Sequence, residues 1–111
     1  MTKATPVNLQ MMSILTGINW VTDYRFDVIE PDRKRRRWEM DIAAPMQRIA
    51  IEIEGGVWTR GRHTRGKGYI GDMEKYNRAV VLGWRLLRYT PEQFRRGDYV
   101  LDVRRLLDGQ S

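Results

Sequence analysis

The chain contains no cysteine. Disulfides and thiolate-bound metals are therefore excluded, and the absence fits a reducing cytoplasm, the expected location. No apolar run approaches the roughly 20 residues of a membrane-spanning helix, so no membrane association is expected. The opening M-T-K-A-T-P-V-N lacks the apolar core of a signal peptide. Zinc-finger spacing, a P-loop and a nucleophile elbow are all missing, as are internal repeats and low-complexity segments. Histidine occurs once, as His63.

What is present is a small, strongly basic chain. Its 111 residues suit one domain, residues 1–111, with one modest core. Twenty Lys and Arg against 14 Asp and Glu give a formal charge of +6 and a pI near 10.1. That balance favours polyanion partners, nucleic acid first. A basic domain can also be merely well solvated, so charge does not decide the matter.

The most informative stretch is R-R-W-E-M-D-I-A-A-P-M-Q-R-I-A-I-E-I-E-G-G, residues 36–56. It predicts two short strands joined by a turn over 45–48. Ile49, Ile51 and Ile53 alternate with Ala50, Glu52 and Glu54, and Asp41 shares a face with Glu39. A four-residue connection puts Asp41 opposite Glu52, with Cβ atoms about 5 Å apart. Asp41, Glu52 and Glu54 then crowd one patch of sheet. Opposed like charges destabilise a sheet, and partly buried carboxylates resist ionising together. A hard divalent cation such as Mg²⁺ relieves both costs, because it takes oxygen ligands. The plainer alternative is a solvated face in which the acids meet Arg37, Arg48 and Arg85.

The remaining elements follow in order. Residues 7–16 form an amphipathic helix with Leu9, Met12 and Leu15 near one stripe, Met11 and Ile14 beside them, and Gly17 as its stop. Residues 24–29 alternate and read as a strand, and Pro31-Asp32 marks a turn. Arg33, Lys34, Arg35, Arg36 and Arg37 make the densest basic run, either a solvated hairpin tip or a phosphate contact. A long Gly-rich connection over 55–71 carries Arg60, Arg62, His63, Arg65 and Lys67, and suits a loop that lies over nucleic acid. A helix over 72–82 follows, with Met73, Tyr76 and Val80 as its apolar stripe and Lys75 beside Asp72 on a face that can look back at the carboxylates. Glu74 and Arg78 are spaced there for an ion pair. Residues 84–89 predict a buried strand. Thr90, Pro91 and Gln93 have the form of a capping box opening a helix. A last helix spans 98–107, with Val100, Val103 and Leu107 inward.

Asp41 followed by Glu52-Ile53-Glu54 after a short hairpin resembles the active-site signature of the PD-(D/E)xK nuclease superfamily. Within it, R-R-W-E-M-D-I-A, I-E-I-E-G-G-V-W, G-R-H-T-R-G-K-G-Y, D-M-E-K-Y-N and L-G-W-R-L-L-R-Y resemble small endonuclease domains related to very-short-patch-repair endonucleases, over about residues 24–94. The resemblance implies an α/β fold of the restriction-endonuclease-like kind: an αβββαβ core with a mixed sheet flanked by helices. It implies a metal-dependent DNA endonuclease, acting in repair or recombination and leaving a 5′-phosphate. Asp41 and Glu52 would ligate Mg²⁺ or Mn²⁺ with the Ile53 carbonyl, and Glu54 would orient water or help hold a second cation. Two positions depart from the pattern. Met40 stands where proline is usual, and Glu54 stands where the catalytic lysine is usual. Lys75, Lys67 and His63 are the rival substitutes for that lysine. Arg33, Lys34, Arg35, Arg36, Arg60, Arg62, Arg65 and Lys67 would contact DNA. The alternatives are a nuclease-fold module that binds DNA without cutting it, and a small interaction protein with a structural acidic patch. A homodimer or a protein partner would enlarge the small DNA-reading surface.

Overall fold

The computed structural model of the chain describes residues 7–27, 38–54 and 67–109, with backbone alone at 67–70. Strands β1 (Val21–Arg25), β2 (Glu39–Ala44), β3 (Ile49–Ile53) and β4 (Arg85–Tyr89) form one sheet in the order β1-β2-β3-β4. The first three are antiparallel neighbours, and β4 lies parallel to β3. Helices α1 (Leu9–Thr16), α2 (Lys67–Val81), α3 (Pro91–Arg96) and α4 (Asp98–Asp108) flank it. The chain is thus α/β with a mixed sheet flanked by helices, as expected. Among the described residues, no helix is long and apolar enough to cross a membrane.

The hairpin forms as its residues require. Ile42 pairs with Ile51, Ala43 with Ala50 and Ala44 with Ile49. The turn closes through the Gln47 and Arg48 amides, which donate to the Ala44 and Pro45 carbonyls at 3.1 and 3.2 Å. Arg48 takes a left-handed φ of 55°, and its guanidinium donates to the Leu82 carbonyl at the end of α2. That bond ties the turn to α2 and offsets the cost of the unusual backbone.

Alternation along β2 and β3 divides the core in two. On one face Ile42, Ile49, Ile51 and Ile53 pack with Met12 of α1, Phe94 of α3, and Tyr99 and Val103 of α4. On the other, Ala43 and Ala50 pack with Ala79 of α2, Trp84 and Phe26. Alanines at the second face let α2 approach the sheet closely, and this brings the helix within reach of Asp41 and Glu52.

Several expected elements fall elsewhere. The first strand is Val21–Arg25, starting three residues before the expected 24–29, of which 28 and 29 lie outside the described residues. Pairing with β2 ends at Arg25–Glu39, after which Phe26 leaves the ladder to stack on Trp38, with ring centroids 6.4 Å apart. Helix α1 begins at Leu9, capped by the Asn8 side chain. Of its apolar side chains Met12 is buried, while Met11, Ile14 and Leu15 are exposed. Helix α2 begins at Lys67, not at 72; Gly68 and Gly71 inside it each cost about 1 kcal/mol against alanine, which gives that stretch the look of a loop. Met73 and Val80 face solvent, and Tyr76 and Ala79 point to the sheet instead. Arg78 reaches Asp27, with Nε 3.4 Å from Oδ1. Strand β4 is an edge strand, half-buried along most of its length rather than buried.

Candidate active site

Asp41 and Glu52 come together one step beyond the Ile42–Ile51 pair. At that step side chains enter the ladder. The Asp41 amide donates to Glu52 Oε2 at 2.9 Å, and the Ile53 amide donates to Asp41 Oδ2 at 2.8 Å. Both residues are buried, Asp41 at 8% exposure and Glu52 at 5%. Two carboxylates this dry are rare unless paired or ligating.

Helix α2 supplies the partner. Lys75 Nζ lies 3.0 Å from Glu52 Oε1, and the Tyr76 hydroxyl donates to the same oxygen at 3.3 Å. Burial pushes the Glu52 pKa above the usual carboxylate range; Lys75 opposes that shift, and Asp41 adds to it. Burial, then the Glu52 charge, also holds the Tyr76 phenol above its ordinary range, so the hydroxyl stays a donor. Asp72, expected beside Lys75 on this face, is exposed.

Glu54 does not join the other two acids, which corrects the expected crowding of three carboxylates. It lies just past β3, where its amide donates to the Tyr89 carbonyl at 2.8 Å. Its carboxylate receives a fork from Arg88: Nη2 donates to Oε1 at 2.9 Å, and Nε donates to Oε2. The parallel register pairs Arg88 with Glu52, so the arginine emerges beside the acids. Its Cζ lies 4.6 Å from the Tyr76 ring centroid. The hydrogen bond to Glu54 raises the Arg88 pKa still further. Arg48 and Arg85, which the plainer alternative set against the acids, bind carbonyls. Arg85 donates to Leu106 at 3.0 Å and to Gln47 at 3.1 Å, which ties β4 to α4 and to the hairpin turn.

Among the described residues, no three His, Asp or Glu side chains gather around one point. Asp41 and Glu52 form a pair of hard oxygen donors, with the Ile53 amide on Asp41. A buried pair of oxygen donors is chemically suited to a hard divalent cation, whose remaining positions are commonly filled by water.

Arg33, Lys34, Arg35, Arg36, Arg60, Arg62, His63 and Arg65 lie outside the described residues, as does Arg37, and of Lys67 only the backbone is described. Lys75 is thus the one rival for the missing lysine whose side-chain position is described. Arg88 is not singled out by the sequence patterns above, and Tyr76 belongs there to an apolar stripe. The available signal was the second of two arginines in a short strand, R-L-L-R-Y, next in the sheet to I-E-I-E. Comparison of the chain with family models, curated proteins and solved structures gives no match to any of them.

Proposed function

We propose that the chain is a metal-dependent DNA endonuclease with a restriction-endonuclease-like core, Asp41 and Glu52 being the residues that hold Mg²⁺ or Mn²⁺. The observation that carries this reading is the buried Asp41–Glu52 pair, set by reciprocal amide bonds and faced by Lys75. Carboxylates are seldom placed so close in a dry site without a cation to balance them. When bound, the cation supplies a water of lowered pKa and offsets charge growing on the phosphate. The order of helices and strands, αβββαβ followed by two helices, supports the same reading, as does the formal charge of +6.

The chain's own groups then have distinct roles. The Asp41 and Ile53 amides keep both carboxylates aimed. Lys75 opposes the burial that raises the Glu52 pKa and brings the positive charge that the lysine usual at position 54 would supply. The basic residues at 33–36 and 60–67 clamp the DNA backbone. Relaxation and linearisation of supercoiled plasmid, with Mg²⁺ or Mn²⁺ and with EDTA, tests the proposal. Metal-dependent cutting that Asp41→Asn abolishes supports it, and no cutting with either metal overturns it.

A second reading has one observation in its favour. Glu54 is held by Arg88, so position 54 offers no cationic group to polarise a water. A nuclease fold that binds DNA without cutting it would show duplex binding and no metal-dependent cleavage in the same assays.

A further inference from the structure

Arg88 is the cation of this site that the proposed chemistry leaves unused. Among the described residues it uses one edge of its guanidinium: Nε and Nη2 are committed to Glu54. One face of the group lies on the Tyr76 ring. Among the described residues, no acceptor meets Nη1, and the side chain remains 53% exposed. The result is a guanidinium held on one edge and one face, with its other edge toward solvent.

That arrangement differs from an ordinary surface salt bridge. A free arginine loses much rotamer freedom on binding an anion, and holding it beforehand lowers that cost. The same two residues also fix where the open edge lies. The Tyr76 hydroxyl is on Glu52 while its ring lies under Arg88, so one side chain links Arg88 to the buried Glu52.

We propose that Arg88 contacts a phosphate of the DNA backbone, with Glu54 and Tyr76 as the positioning residues that hold its guanidinium open-edge outward. This rests on DNA being the ligand, and it gives position 54 a function, since its carboxylate holds an arginine in place of supplying a lysine. It requires no metal.

The test is binding of a labelled mixed-sequence duplex, in EDTA, across a salt series. Arg88→Ala should weaken binding about five- to tenfold and make the salt slope shallower by roughly one unit, the mark of one lost phosphate contact. Arg88→Lys should keep the slope but still bind about threefold more weakly, because an ammonium has neither the fork nor the flat face. Tyr76→Leu should match Arg88→Lys and add nothing to Arg88→Ala. Thermal melts of each variant establish that it is folded. Wild-type binding by Arg88→Ala, or full recovery by Arg88→Lys, overturns the proposal while leaving the nuclease reading standing. A wild-type chain that binds no duplex at all overturns both.

Discussion

Asp41 and Glu52 each accept or donate across the other's strand: the Asp41 amide binds Glu52 Oε2 at 2.9 Å, and Asp41 Oδ2 binds the Ile53 amide at 2.8 Å. The two carboxylates therefore serve as ladder partners at the point where the paired register ends. Each carboxylate is oriented by a backbone amide, and Glu52 by Lys75 and Tyr76 as well, which is how a site is kept in place before its ligand arrives.

Asp41→Asn and Glu52→Gln retain an oxygen acceptor for those amides, so both variants should fold. Each should lose metal-dependent cleavage by about 100-fold or more, on the scale of several kcal/mol of lost charge stabilisation. Duplex binding in EDTA should stay within about twofold of wild type, since the phosphate contacts are elsewhere. Mn²⁺ should raise the melting temperature of the wild type and hardly move either variant. Cleavage at wild-type rate by either variant removes the pair from the site.

The Glu52–Lys75 pair gives a pH prediction. Burial raises the Glu52 pKa above its usual 4.5. Its contribution to stability is then fully present below that value and is lost as pH rises through the folded one. Metal-free wild type should therefore lose stability with rising pH over that interval, and Glu52→Gln should flatten the profile. Lys75→Met removes the opposing charge. It should cost about 2 kcal/mol at neutral pH, the scale of a charged hydrogen bond, and cost little in the Glu52→Gln background. Urea melts across pH read both effects; equal losses in the two backgrounds show that Lys75 does not act through Glu52.

Glu54→Gln carries a different expectation from the one that carboxylate crowding suggests. Neutralising a repelled acid stabilises a protein, but Glu54 already has Arg88. Because Arg88 is 53% exposed, the pair is screened by solvent. The variant should lose about 0.5 kcal/mol in a metal-free denaturant melt, within the range of partly exposed ion pairs. A clear gain in stability means that repulsion among the acids outweighs the ion pair.

Thr90 closes a reciprocal cap: its hydroxyl accepts from the Gln93 amide at 3.1 Å, and the Gln93 side chain accepts from the Thr90 amide at 2.9 Å. Thr90→Ala should cost about 1 kcal/mol in a denaturant melt. An unchanged midpoint shows that α3 does not depend on its cap.

The parts of this protein legible in its sequence are those set by neighbours along the chain. The hairpin register follows from period-two alternation and a four-residue turn, and it brings Asp41 to Glu52 with no other information. Thr90-Pro91-Glu92-Gln93 states its own cap, because every bond of a capping box lies within four residues. The glycine-interrupted start of α2 was not legible, since local propensity there opposes the helix that is observed. Nor was the fate of Glu54. Its partner Arg88 is 34 positions away, and Lys75 is 23 from Glu52. Both meetings depend on β4 lying parallel to β3 and on alanines at one sheet face admitting α2. A sequence names the charges; only the crossover from β3 through α2 to β4 decides which carboxylate receives which cation, because side-chain ion pairs act over a few ångströms and those distances are set by packing.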